Sequence, residues 1–310
     1  MKKALKAILL KIPYIRNVIK RRDLLWESYR RCGCFPGHYH SPIPLLEDVE
    51  RDAGKIFENE EIRDIHLHTD EQFRLVQKLK TYYKKVPYGF NEQDSRHFRY
   101  TSKGAFYRYS DAIFLFCMMM HFKPGKIIEI GSGHSSAIML DTNEIFFENK
   151  IQLSFIEPYP EERLYTVLRK DDKQRSAVIK SYLQDMEAGF FQSLDENDIL
   201  FVDSSHVSKV GSDVNYIFFT ILPVLKPGVL IHFHDIFFPF ELPKHWIFEN
   251  KWFWNESYLL RAFLMNNNDY EIVLFNSLLQ KKYRRWFEVE MPDCLIGSED
   301  TGSIWIQKIR

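Results

Sequence analysis

The run Lys126-Ile-Ile-Glu-Ile-Gly-Ser-Gly-His-Ser-Ser136 constrains this chain more than any other segment. An apolar stretch of strand character closes on Glu129, two glycines follow, and a helix is expected to begin directly after them. Glycine reaches left-handed backbone conformations and admits a ligand against bare main chain, so Gly131 and Gly133 are both expected to turn with positive φ. A strand, a glycine turn and a helix in immediate succession form the architecture of a nucleotide-type cofactor site. The pyrophosphate of a dinucleotide would require a third glycine at the helix start, where this chain has His134, Ser135 and Ser136. That spacing disfavours an NAD-dependent oxidoreductase, which stays as a lesser alternative.

With 310 residues the chain can bury a sizeable core without disulfides, as one large domain or one domain with additions. Lys plus Arg (42) balances Asp plus Glu (42), so no overall field recruits nucleic acid, and none is expected as a partner. Four cysteines, Cys32, Cys34, Cys117 and Cys294, suit the reduced thiols of a cytoplasmic protein. The N-terminus departs from neutrality. Residues 1–22 carry Lys2, Lys3, Lys6, Lys11, Arg16, Lys20, Arg21 and Arg22 with no acid before Asp23, and Leu5, Ile8, Leu9, Ile12, Ile15 and Ile19 recur between them at helical spacing. The apolar runs are too short to span a bilayer. This basic amphipathic helix is expected either to pack on its own domain or to make peripheral contact with a membrane surface.

Residues 23–100 are expected to form a helical and irregular extension. Cys32-Gly-Cys34 and His38-Tyr-His40 fall in a turn-rich stretch whose spacing is narrower than that of usual zinc sites. Thr69 and Gln72 are spaced as a capping box for a helix over about 70–83. Ser110-Asp111 can cap a helix over 112–121, which is apolar nearly all round and so should be buried with its Met118–Met120 run in the core. Strand and helix signals then alternate, with strands at 126–130, 151–157, 177–180, 198–203 and 228–234. Segments 270–275 and 303–309 read as a terminal antiparallel hairpin with no helix of full length between them. The expected fold over residues 101–310 is α/β: a seven-stranded Rossmann-like sheet, mostly parallel, flanked by helices.

Glu129-Ile-Gly131-Ser-Gly133 resembles motif I of the class I S-adenosylmethionine-dependent methyltransferases. Much of residues 100–280 resembles a bacterial branch related to macrolide-sugar O-methyltransferases. The resemblance implies S-adenosyl-L-methionine as cofactor, held at Glu129, Gly131, Ser132, Gly133, Ser135 and Asp203. It also implies an O-methyltransferase acting on a hydroxyl of a sugar, glycan or small metabolite. Glu157 closes the second strand, and one carboxylate can accept from both vicinal hydroxyls of a ribose. Asp185, after the third strand, stands where the family often accepts from the adenine amino group.

Asp203 and His206 close the fourth strand, and His234 and Asp235 the fifth; alternation sends His232 and His234 to one face with Phe233 opposite. In the relatives, acids at these two strand ends hold a divalent metal, which places Asp203, His234 and Asp235 as metal ligands here. His234 departs from that acidic pattern. A histidine suits manganese, iron or zinc better than magnesium. A metal-free site would use His206 or His234, with Asp203, as the catalytic acid–base groups. Aromatic and polar residues suggest an acceptor wall of Trp254, Asn255 and Glu256 facing Tyr107 and Tyr109. The contrasting expectation is a non-catalytic binding or scaffold protein on the same fold.

Overall fold

A computed structural model describes residues 13–88, 98–102 and 104–310. The chain divides in sequence between Asn59 and Glu60 into two compact units. The first holds helix α1 (Pro13–Cys32) and two short helices, Leu46–Arg51 and Ala53–Phe57. Residues 1–12 of the expected basic helix lie outside the described residues. Within α1, Tyr14, Val18, Leu24, Leu25 and Trp26 are exposed on a helix that also exposes Arg16, Lys20 and Arg21. No helix among the described residues is long and apolar enough to cross a membrane.

The second unit begins at Glu60, well ahead of the boundary near residue 101 suggested by sequence, because α2 (Thr69–Tyr83) buries Val76 and Leu79 in the same core as the sheet. Seven strands follow: β1 (Lys126–Ile130), β2 (Gln152–Ile156), β3 (Ser176–Ile179), β4 (Ile199–Val202), β5 (Leu230–His234), β6 (Tyr270–Phe275) and β7 (Ser303–Lys308). They lie in the order β3-β2-β1-β4-β5-β7-β6. β1 pairs in parallel with both β2 and β4, β4 in parallel with β5, and β7 antiparallel to β5 and β6. This is the expected methyltransferase-type sheet.

Helices cover both faces, which is why β4 and β5 read as nearly continuous apolar runs. Ile127, Phe155, Phe201, Leu230 and Trp305 face α2, α3 (Ser110–Phe122) and α4 (His134–Phe147). Ile128, Ile130, Leu200, Val202, Ile231 and Phe233 face the opposite layer, which includes Val214, Ile217 and Ile221 and Leu260 of α5 (Glu256–Leu264). Alternation along each strand therefore turns Glu129, His232 and His234 toward the α3 side, where all three are buried.

Three local expectations are corrected. β6 and β7 are antiparallel neighbours, yet helices Asn276–Lys282 and Arg284–Glu290 lie between them. Each is about two turns, too short to show a period, and is held by burying Leu279 and Phe287. The capping box at Thr69 is not made. His68 precedes α2 with φ 47°, and the buried Gln72 amide donates to Leu67 O and accepts from Phe275 N at 2.7 Å. Nor do Ser110 and Asp111 cap α3. Ser110 donates to Thr301 Oγ1 at 2.9 Å, while Asp111 Oδ1 accepts from Asn276 (2.8 Å) and Ser303 (2.9 Å). Gln72, Ser110 and Asp111 are all buried, so these polar side chains are claimed by tertiary partners rather than by their own first turn.

The segment leading into α3 is fixed by Arg99. Its buried guanidinium reaches Asp141 (2.8 Å) and Glu144 (2.6 Å) on α4 and Asp172 (2.7 Å), and Asp141 also accepts from the amides of Arg99 and Tyr100. Tyr100 in turn donates to Tyr107 O at 3.1 Å, carrying that order to the carboxyl ends of β4 and β5, where Tyr107 packs on Phe201 and His234.

Candidate active site at the strand ends

Strand order reverses between β1 and β4, and open parallel sheets bind ligands at the carboxyl ends of the strands on either side of such a point. Gly131 sits there with φ +76°, and a Cβ on it would lie 1.9 Å from Asp203 O. Its own amide donates to Ile156 O at 3.0 Å, and Asp203 N donates to Ile130 O at 2.9 Å. The turn thus locks the ends of β1, β2 and β4 together, and only glycine fits it. Gly133 differs from expectation: its φ of 179° is extended, and its role is the start of α4, where Ser136 Oγ accepts from Gly133 N at 3.0 Å.

Glu129 lies beneath this turn. Ser135 donates to one carboxylate oxygen at 2.5 Å and Ser136 to the other. Burial pushes the Glu129 carboxyl up to about 8, although both hydroxyls act against the rise. Glu157 stands on the open side, accepting from Ser132 N at 3.1 Å and from Tyr159 N at 2.8 Å. Asp185 is exposed in the turn Leu183–Asp185, beside Tyr182, whose hydroxyl meets that of Tyr159 at 2.5 Å.

The ends of β4 and β5 are denser in charge. His206 Nε2 lies 3.3 Å from Asp203 Oδ1 and 3.4 Å from Asp235 Oδ2. His234 Nδ1 faces the same two oxygens at 3.2 and 3.5 Å. His206 and Asp235 hold left-handed φ values of 59° and 56°, conformations uncommon outside glycine that aim both side chains at this shared point. Behind His206, Glu256 Oε2 lies 2.8 Å from Nδ1. Behind His234, Asp111 Oδ2 lies 3.7 Å from Nε2.

Burial opposes charge on each imidazole, yet hydrogen bonds donated to Asp203 and Glu256 raise His206 to about 10, and Asp235 and Asp203 hold His234 well above the usual range. Burial alone would raise Asp203, but the two histidines outweigh it and keep that carboxyl well below its ordinary value. Asp235 is pushed up to about 6, chiefly by burial. The fold therefore gathers four carboxylates, Asp111, Asp203, Asp235 and Glu256, around two imidazoles, an excess of negative charge that favours a cation. Asp203, His206, His234 and Asp235 each offer one ligand atom, all within 4.8 Å of one another, a donor set that fits a divalent ion.

Of the expected acceptor wall, Trp254 covers the site, its ring 4.7 Å from that of His206 and stacked on Trp252 at 4.8 Å. Tyr107 is buried with its ring 4.8 Å from His234 and its hydroxyl 3.4 Å from His232. Tyr109 packs against Gly297 and Arg108, at the start of α3. Asn255 and Glu256 have other partners than an acceptor. The Asn255 amide accepts from Ser208 N (2.6 Å) and donates to Ser208 O (3.2 Å), and Glu256 is spent on His206 and Ser204. Sequence reasoning missed Asp111, whose place as the first acid of an all-apolar helix reads as a cap. An acid followed only by apolar residues on a buried helix must find a tertiary partner, and that was the available signal.

Residues 128–236, from β1 to the end of β5, match the family model described as a methyltransferase domain. Over that stretch the chain is similar to a methyltransferase domain. It belongs to one family with an uncharacterized protein of Archaeoglobus fulgidus, being 32% identical over 167 residues that span 53% of this chain and 75% of the relative. Among solved structures, it is similar to the methyltransferase PaMTH1 of Podospora anserina bound to SAH (16% identity, TM-score 0.42, 85% of this chain and 96% of the other). It is also similar to an O-methyltransferase of Bacillus cereus in complex with SAH (11% identity, TM-score 0.42, 86% and 100%).

Proposed function

We propose that this protein is an S-adenosylmethionine-dependent O-methyltransferase whose acceptor is a hydroxyl of a sugar, glycan or small metabolite. The observation that carries the reading is the Gly131–Asp203 contact at the switch point, flanked by an open carboxylate on the β2 side and a charged pocket on the β5 side. Glu157 would accept from the two ribose hydroxyls and Asp185 from the adenine amino group, while the Gly131–Ser132 main chain admits the donor closely. A dinucleotide finds no third glycine at the start of α4.

The donor sulfonium is already activated, so the protein's task is alignment and removal of the acceptor proton. The acceptor oxygen attacks the methyl carbon along the line of the breaking carbon–sulfur bond, and its proton must leave. Asp203 and Asp235 would hold the acceptor end of the crevice, with His206 and His234 beside them. A divalent ion bound by these residues would lower the pKa of a coordinated hydroxyl. Trp254 and Trp252 supply ring faces that exclude water and suit the apolar face of a sugar.

Calorimetry with S-adenosylmethionine and S-adenosylhomocysteine, followed by transfer of labelled methyl to a panel of sugars, nucleotide sugars and phenols, tests the reading. Micromolar binding that weakens in Glu157→Ala is expected. No binding of either compound at millimolar concentration, with Glu157→Ala matching the parent, would overturn it.

We also infer that α1 rests on an anionic lipid surface, since Tyr14, Val18, Leu25 and Trp26 stand exposed beside Arg16, Lys20 and Arg21. Co-sedimentation with phosphatidylserine vesicles should fall when residues 1–22 are removed, and equal sedimentation of both chains would refute it.

A further inference from the structure

The histidines at the acceptor end show a pattern of contacts that differs between their two ring nitrogens. Each imidazole turns one nitrogen inward, to Asp203 Oδ1 and Asp235 Oδ2, and the other outward, to a carboxylate from a distant segment. The outer contact of His206 is made: Glu256 lies at 2.8 Å, the length of a charge-assisted hydrogen bond. Glu256 is itself fixed, since Ser204 Oγ donates to its other oxygen at 3.2 Å and the amides of Asn255 and Glu256 both donate to His206 O at 3.1 Å.

The outer contact of His234 is prepared. Asn276 and Ser303 hold Asp111 Oδ1, leaving Oδ2 buried with no hydrogen-bond partner and facing a His234 Nε2 that also has none. The two atoms are 3.7 Å apart, and a shift of less than an ångström would close them. The four inner contacts, by contrast, run from 3.2 to 3.5 Å, too long for good ionic hydrogen bonds but nearly equal to one another. Ligand atoms around a tetrahedral ion with bonds of about 2.1 Å are spaced by about 3.4 Å, the length of these four nitrogen–oxygen contacts, and all four atoms lie within 4.8 Å of one another. Short outer contacts and long, even inner ones describe a cage whose ligands are already turned toward a common centre.

We propose that Asp111 and Glu256 are positioning residues that hold the protons of His234 and His206 on their outer nitrogens, Nε2 and Nδ1. This makes His234 Nδ1 and His206 Nε2 two nitrogen ligands, beside Asp203 and Asp235, of one transition-metal ion. A carboxylate behind a ligating histidine fixes its tautomer and raises its basicity. Two nitrogens in the donor set favour manganese, iron, cobalt or zinc over magnesium, which prefers an all-oxygen octahedron. This goes beyond the four-residue donor set by assigning the ligating atom of each imidazole and giving Asp111 and Glu256 a task. It rests on the proposed function only in placing the ion beside the acceptor.

The full chain, freed of metal by chelator, is titrated with Mn2+ and Mg2+ in calorimetry without S-adenosylmethionine, and the Mn2+ form is studied by pulsed electron paramagnetic resonance. The expected results are at least a hundredfold preference for Mn2+, nitrogen couplings from two imidazoles, and one of these lost in His206→Ala. Asp111→Asn and Glu256→Gln should each weaken Mn2+ binding by about 10- to 100-fold, the usual consequence of removing such an outer partner, with far-ultraviolet dichroism unchanged. Equal affinity for the two ions, or Mn2+ bound without nitrogen coupling, would overturn the proposal even if every variant misfolded. Donor binding is measured separately, so a chain that binds Mn2+ through two imidazoles but no S-adenosylmethionine would sink the methyltransferase reading and leave this one standing.

Discussion

At the β1–β2 end of the crevice, Glu157 and Asp185 stand at or near the surface and Glu157 accepts from the amides of Ser132 and Tyr159. At the β4–β5 end, four carboxylates and two imidazoles are drawn inward from four separate segments. The first half is open and offers solvated groups and bare backbone. The second is closed over by Trp254 and Tyr107, so its charges interact in a poorly solvated setting where position decides the chemistry. On the proposed function, one end would recognise a donor that arrives activated and the other would alter the acceptor.

Substitutions that separate the two ends test that division. Asp203→Asn should show the largest effect, a fall of about a thousandfold in methyl transfer at saturating donor, the order lost when one charge-stabilising group is removed. Single-turnover kinetics measures it, and donor affinity should move far less than the rate. Gly131→Ala should disturb both ends together, because its Cβ would strike Asp203 O. A loss of 1–3 kcal/mol or more in urea unfolding, with donor binding abolished, is expected from such overpacking at a positive φ. Glu157→Ala confines its effect to the donor end: about a tenfold weaker S-adenosylmethionine complex, the loss of a charged hydrogen-bond acceptor, with the rate at saturation unchanged. If Glu157→Ala lowered the saturated rate as much as Asp203→Asn, the division would be lost.

The smallest effect concerns Glu129, whose carboxyl is raised by burial to about 8 in the folded chain against about 4.5 unfolded. Below pH 4.5 the group is neutral in both states. Between the two values the unfolded chain ionises freely and the folded one does not, so its contribution declines as pH rises toward 8. The parent should therefore lose melting temperature over that window relative to Glu129→Gln, by a few degrees in scanning calorimetry. Parallel pH profiles for the two proteins would show that Glu129 is ionised throughout.

The β1–β2 half was legible in the sequence because its parts are local. A strand, a glycine turn and a helix lie in one unbroken run, and Glu157 follows at the end of a strand whose apolar character marks it. Even the shared face of His232 and His234 followed from a two-residue period. What stayed hidden depends on distance. Asp111 and Glu256 reach the histidines from segments that nothing in the local pattern joins, and each had a bland local reading, a helix cap and an acceptor contact. The same cause explains Gln72, which abandons its capping box for Phe275 N across the core. The short helices between β6 and β7 escaped because two turns leave no period to read.

The sequence by itself determined the element order, the sheet's polarity and the glycine that lets β1 close on β4, since propensity, alternation and steric access act over a few residues at a time. Only the tertiary structure decided that Gly133 is extended, that Asn255 and Glu256 serve the scaffold, and that Asp111 stands behind His234. Those outcomes follow from burial, which forces each polar group to take whichever partner the packed chain brings within reach.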